Sequence, residues 1–351
     1  MLSKTPRIAV DAMGGDFGPR VNVPAAVRAA EQGASIILVG DEAQIRDELS
    51  RCKTEGLDIH VVHASQVVGM DEKPSEALRR KKDSSIQVAC RLVKEGQADG
   101  VVSAGNSGAV VACGMFTVGR IAGIDRPALA GIMPTEKRPC ILIDVGANVD
   151  SKAFHLAQFA IMADVLARDV LGVPKPRVGL LSIGEEEGKG NSVVKEAFDL
   201  LRKSSINFIG NAEGRDIFAG NYDVVVCDGF VGNVALKLSE GLARSFGNLL
   251  KGELKRGLLS KLGTLLSLGA LTRFAKLVDY AEYGGAPLLG LKGIVIVCHG
   301  ASNVKAITNA IRMGSTFTAN RAHQHIERDL EANSEIARFG RPSPSHSKNP
   351  S

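Results

Sequence analysis

The chain has 351 residues, 44% of them hydrophobic and 39 of them glycine, with a net charge of +5, enough to bury the core of one large α/β domain or two closely joined ones. It has no Trp and only 4% aromatic residues, so the stacking platforms of single-stranded nucleic-acid binders are scarce. The mild charge also argues against a dedicated nucleic-acid protein while allowing local basic patches.

The first predicted element, "RIAVDAMGGDFGPR" (Arg7–Arg20), is a short apolar strand running into a loop of glycines, aspartates and a proline. The opening "MLSKTPR" has no apolar signal core, which points to the cytoplasm. Gly14, Gly15 and Gly18 do not keep the G-x-G-x-x-G spacing of a dinucleotide site. Asp11 and Asp16 have metal-ligand chemistry, but carboxylates beside an anion site repel the anion, so they are better suited to organising loop amides. "LRRKKDSS" then places four cations in a row, Arg79 to Lys82, by default a solvated helix face. The charge-free stretch between Asp99 and Arg120 is nearly long enough to span a bilayer. Ser103, Asn106, Ser107 and several glycines interrupt it, and it reads as a buried strand, loop and helix.

"CILIDVGAN" repeats the arrangement with Asn148 in its loop, and "SKAFHLAQFA" behind it carries His155 as a packing residue. "GEEEGKGN" imitates a P-loop, but it has one residue too few between Gly184 and Gly188, and Gly190 stands where Ser or Thr would bind magnesium. Its three glutamates would repel a polyphosphate. Lys189 lies between two glycines and is either paired with Glu185 or Glu186 or serves as an anion's counter-ion. After "NFIGNAEGRD", the run "VVVCDGFVGN" ends in Asn233 at a strand-to-helix turn, where the side chain caps the helix or directs its amide at a carbonyl oxygen.

From Leu249 to Tyr280, leucines recur at helical spacing with Lys251, Lys255, Arg256 and Lys261 between them, and Gly257, Gly263 and Gly269 weaken any single rod. A protruding helical hairpin is expected, used as a dimer interface or as a reversible contact with anionic membrane. "GIVIVCHGASN" puts His299 at a strand end, the best placed of the seven histidines for acid–base work; His323 and His325 fall in a polar helix. Residues 329–351 have the composition of a disordered tail. The six cysteines show no metal-ligand or redox spacing, which fits a reducing compartment.

Apolar strands alternating with helices mean a largely parallel sheet covered on both faces, an α/β fold of three α/β/α layers over residues 1–328 with the hairpin 249–280 as an excursion. Ligands of such sheets bind beyond the carboxyl ends of the strands, where all seven loops are expected to lie. Small residues, carboxamides and helix N-termini together suit an anion.

With "VDAMGGDFGP", "ALRRKKDSS", "SAGNSGA", "IDVGAN", "GEEEGKGN", "CDGFVGN" followed by "LKLSEG", and "PLLGLKG" followed by "HGASN" in this order, the chain resembles the acyl-[acyl-carrier-protein]:phosphate acyltransferases of bacterial phospholipid synthesis from about Arg7 to Arg312. Ser107 stands where Thr is commoner, and Ser182 where Asn is expected. The resemblance implies conversion of acyl-carrier protein and inorganic phosphate to acyl phosphate and free carrier protein, after which a membrane acyltransferase passes the acyl group to glycerol 3-phosphate. It also implies a homodimer and a fold similar to isocitrate and isopropylmalate dehydrogenases and to phosphotransacetylase, with a sheet mixed near its centre. No cofactor and no metal ligands are assigned, and the leucine-rich segment with its cations places the chain peripherally on the inner face of the membrane.

Phosphate is already nucleophilic near neutral pH and a thiolate leaves easily, so such an enzyme needs substrate positioning and oxyanion donors rather than a triad. In that scheme Lys189, Asn233 and His299 are the catalytic candidates. Asp11, Gly14, Gly15, Asp16, Lys82, Asn106, Ser107, Asn148, Gly188 and Asp228 are assigned to substrate binding. Arg79, Arg80 and Lys81 would dock the acidic carrier, and Leu258, Leu259, Leu262 and Leu265 would meet the membrane. Two rivals use the same features: a phosphotransacetylase-like enzyme acting on short acyl-CoA, and a non-catalytic scaffold recruiting carrier protein to membranes.

Overall fold

In the strand β1 (Arg7–Asp11), Ile8 and Val10 point into one apolar cluster and Ala9 into another, as the period of two requires of a strand covered on both faces. The computed structural model describes residues 5–277, 279–333 and 335–336. After β1 come α1 (Pro19–Glu31), β2 (Ser35–Gly40), α2 (Glu42–Ser50), β3 (Ile59–His63), α3 (Pro74–Arg80), α4 (Ser85–Lys94), β4 (Gly100–Ser103) and α5 (Ser107–Cys113), the last running into a π-helical turn, Gly114–Val118. The middle of the chain forms β5 (Ala128–Met133), β6 (Cys140–Ile143), α6 (Ala153–Asp169), β7 (Val178–Leu181), α7 (Ser192–Arg202), β8 (Phe208–Ala212), α8 (Asp216–Ala219) and β9 (Val224–Val226). Three helices follow, α9 (Gly229–Leu254), α10 (Leu258–Leu266) and α11 (Leu268–Leu277), then β10 (Ala286–Leu289), β11 (Ile294–Val297), α12 (Val304–Ala319) and α13 (Ala322–Ala332).

The strands form one sheet in the order β3-β2-β1-β4-β11-β10-β5-β6-β9-β7-β8. Its two wings are parallel within themselves, but β10 is antiparallel to both β11 and β5, and β5 is antiparallel to β6. The expected three layers and the mixed centre are both present. The expectation that all seven loops share one crevice is corrected by the same pairings. The strands β6, β7, β8 and β9 run opposite to β1, β4 and β11, so the carboxyl ends of the two sets fall on opposite edges of the sheet.

Helices α1, α6, α7, α12 and α13 cover one face, while α4, α5, α8 and the start of α9 cover the other. The central α6 is buried almost all round, with Phe159, Met162 and Leu166 wholly inaccessible; each such side chain contributes roughly 1.5–3 kcal/mol by leaving water. His155 is a packing residue, 1% exposed, with Nε2 2.6 Å from Asp125 Oδ2. Burial pushes the Cys113, Cys140 and Cys298 thiols up to about 12, so these are inert apolar fillers.

The excursion begins earlier than its leucine pattern suggests. Only Gly229 and Gly232 of α9 are buried, and no residue of α10 or α11 is. Gly257, at φ 84°, breaks α9 from α10, whereas Gly263 and Gly269 lie inside α10 and α11. At the other end, α13 carries helix through Ala332, past the expected start of the tail at 329; residues 337–351 of that tail lie outside the described residues.

Candidate active site

The first group of loops follows β1, β3, β4 and β11. Asp11 is 3% exposed; its Oδ2 accepts the Ser103 hydroxyl at 2.7 Å and its Oδ1 the Met13 amide at 3.3 Å. Burial raises this carboxyl above its ordinary range, against the pull of Ser85 and Ser103. The Asn22 amide donates to the carbonyls of Asp11, Ala12 and Gly14. A Cβ on Gly14 would stand 2.7 Å from Gly105 N, and Gly15 adopts φ 86°, so both glycines are required by packing and backbone angle. Asp16 is exposed and donates its backbone amide to Gly300 O at 2.9 Å.

Asn106 caps α5 through Ala109 N, and its Nδ2 donates to the carbonyls of Gly69, Met70 and Glu72. Its amide therefore clamps the 69–72 segment. Ser107 is exposed beside it. His299 is exposed, and its Nδ1 accepts Ala301 N at 3.0 Å, which leaves the ring proton on Nε2. In the basic run, Lys81 donates to Val67 O at 2.7 Å and pairs with Glu72, so it braces the same segment. Arg79, Arg80 and Lys82 are exposed.

The second group follows β6, β7 and β9. Asp144 is wholly buried and accepts the amides of Leu129, Gly146 and Ala147 on Oδ1, and both the backbone and side-chain N–H of Asn148 on Oδ2. Asn148 also donates to Pro127 O at 2.8 Å, so its carboxamide is committed to structure. The first turn of α9 lies on this loop: a Cβ on Gly232 would come within 1.9 Å of Asp144 O, and one on Gly229 within 2.6 Å of Asn148 O. Asp228 is the cap of α9, accepting from Phe230 N and Val231 N. Asn233 consequently stands inside the helix rather than at its cap, which corrects the capping alternative. It is exposed, and a Cβ on Gly146 would be 3.5 Å from its Oδ1.

Lys189 is exposed on the loop between β7 and α7, where Gly188 has open space beside it. Its Cγ would be 3.0 Å from a Cβ on Gly184, so the stem crosses a glycine. Glu185 pairs with Arg215 at 3.3 Å and Glu187 with Arg202 at 2.7 Å. Lys189 forms no ion pair among the described residues, which removes the reading that tied it to Glu185 or Glu186. Ser182, the departure from the resembled pattern, has a buried hydroxyl with no partner among the described residues.

The structure thus brings Lys189, Gly188, Asn148, Asp228 and Asn233 to one edge, and Asp11, Gly14, Gly15, Asp16, Asn106, Ser107 and His299 to the other. Sequence reasoning passed over Asp144 and Asn22, which organise these loops. The available signal for Asp144 was an aspartate at a strand end followed by a glycine loop, the same pattern as Asp11.

A protein-family model described as fatty acid synthesis protein matches residues 6–325. A phosphate acyltransferase of Nitratidesulfovibrio vulgaris is 62% identical over 336 residues, 95% of this chain and 97% of its own. One of Oleidesulfovibrio alaskensis is 63% identical over 343 residues, 97% of this chain and 99% of its own. Among solved structures, a phosphotransacetylase from Streptococcus pyogenes superposes with a TM-score of 0.64 at 19% identity, covering 92% of this chain and 95% of that one. A phosphotransacetylase from Staphylococcus aureus gives 0.60 at 17% identity, covering 91% and 95%. At these identities the solved structures show a shared fold.

Proposed function

The chain belongs to the phosphate acyltransferase family and is a phosphate acyltransferase; from that premise we propose that it transfers a fatty acyl group from acyl-carrier protein to inorganic phosphate for phospholipid synthesis. A phosphate oxygen attacks the thioester carbonyl, the carbon–sulfur bond breaks, and the proton carried by hydrogen phosphate ends on the released carrier thiol. What supports this division of labour is Lys189, an exposed ammonium with no ion pair among the described residues, on a glycine loop at the same sheet edge as the exposed Asn233 amide. Lys189 is assigned to the phosphate and Asn233 to the oxyanion. His299 stands on the other edge and is left out of the bond-forming step. That edge, with the exposed Arg79, Arg80 and Lys82, is assigned to the acidic carrier protein.

The excursion supports a homodimer and a peripheral membrane contact. Most of the exposed large hydrophobic side chains among the described residues lie between Phe230 and Leu277. Leu258 and Leu259 of α10 are 85% and 87% exposed, and no described helix is long and apolar enough to cross a membrane. We assign α9 to a second copy of the chain, and Leu258, Leu259, Leu262 and Leu265, flanked by Lys255, Arg256 and Lys261, to anionic lipid on the cytoplasmic face. The acyl phosphate released there would be taken up by a membrane enzyme that acylates glycerol 3-phosphate.

The test is release of carrier thiol from palmitoyl-carrier protein with and without phosphate, hydroxylamine trapping the product. Phosphate-dependent release with acyl hydroxamate is expected. Turnover of acyl-CoA without turnover of the carrier-bound substrate would overturn the proposed donor.

A further inference from the structure

The turn that carries Lys189 is held from beneath by a residue that is itself shielded from solvent. Asn211 lies in β8, 2% exposed, and pairs in register with Leu180 on β7, on the face of the sheet covered by α7. Its Nδ2 donates to Glu186 O at 2.9 Å, and the same carbonyl accepts Lys189 N at 3.0 Å. The Tyr222 hydroxyl donates to Asn211 O at 2.7 Å and fixes the strand at this point. Oδ1 of Asn211, in contrast, is buried with no hydrogen-bond partner among the described residues. A buried, unpaired acceptor is costly, and an apolar side chain of similar size would remove that cost. Asparagine is therefore a poor choice for packing alone, and the end of it that contributes is the donor to Glu186.

We infer that Asn211 is a positioning residue: through the Glu186 carbonyl it sets where the 186–189 turn presents the Lys189 ammonium, and so sets the affinity for phosphate. The inference rests on the assignment of Lys189 to phosphate. It separates stability from function in a direction that a packing role would not.

In the full chain, Asn211→Leu deletes both the donor and the orphaned acceptor. The thermal midpoint should hold or rise, while the KM for phosphate rises about tenfold and the KM for palmitoyl-carrier protein stays at the wild-type value. The double variant Asn211→Leu/Lys189→Ala should be no worse for phosphate than Lys189→Ala alone, because both changes remove one contribution. Asn211→Asp, of the same outline without the donor, provides the comparison if the leucine variant does not fold. A raised phosphate KM in Lys189→Ala with wild-type values in both Asn211 variants would overturn this inference and leave the Lys189 assignment intact. An unchanged phosphate KM in Lys189→Ala would overturn both.

Discussion

The loops after β6 and β7 lie at the same sheet edge, follow apolar strands, are rich in glycine and lead into helices, yet they are built to opposite ends. After β6, Asp144 gathers the amides of Gly146, Ala147 and Asn148, so that loop has closed around a carboxylate of its own. After β7 the corresponding place is held by Ser182, the outer glutamates turn to Arg215 and Arg202, and Lys189 is left unpaired among the described residues. Asp11 puts the loop after β1 in the first class. Glycine content and a helix N-terminus thus do not identify an anion site. The residue at the strand end decides whether the amides are already taken.

The largest effect expected from this contrast is that of Asp144→Ala. It leaves five donors facing a cavity, each worth about 1–3 kcal/mol when stranded, so urea unfolding should report a loss of more than about 4 kcal/mol together with poor soluble yield. A near-native midpoint would mean that the loop does not depend on its carboxylate. Next in size is Lys189→Ala, whose exposed side chain makes no ion pair among the described residues. Here kcat/KM for phosphate should fall about a hundredfold, close to 2.7 kcal/mol, with the urea midpoint unmoved. Lost stability with intact turnover would put both loops in the structural class.

The alternation of strand, loop and helix was legible because β-branched runs ending in glycine, aspartate or asparagine are local signals. The reversal of the second wing was not. It comes from β5, which pairs antiparallel with β6 and runs into Pro134 and Thr135 rather than into the glycine, aspartate or asparagine loop that marks the other strands; β10, antiparallel to both β11 and β5, leaves those two running the same way. Likewise, a carboxamide in the sequence does not announce its partner. Asn106 is held by carbonyls more than thirty residues away, and Asn148 by Asp144 and Pro127. Asn233 lost the cap to Asp228, whose carboxylate reaches the first free amides of α9. Lys189 could be singled out because glycines on both sides offer its stem no apolar cover. Asn211 could not, since its value lies in one carbonyl of another loop.

The smallest effect concerns how Asp144 titrates. Burial outweighs its five donors and raises the carboxyl above the ordinary 3.8. The folded state therefore binds this proton more tightly than the unfolded state does. Its contribution to stability is fully present below pH 3.8, falls as pH rises from 3.8 through the folded value, and is level beyond it. The slope cannot exceed about 1.4 kcal/mol per pH unit for one proton. Asp11, raised by burial, and Asp164, raised to about 6 by burial, titrate in the same direction, so the wild-type curve alone does not isolate Asp144. Subtracting the curve of Asp144→Asn does, because the other two carboxyls remain in both proteins. The variant will be less stable throughout, but its urea midpoint should decline less steeply above pH 3.8. Parallel curves would show that the five donors fully offset burial, and a wild-type midpoint that gains on the variant's as pH rises would show that they outweigh it and that the loop after β6 is built to hold its carboxylate charged.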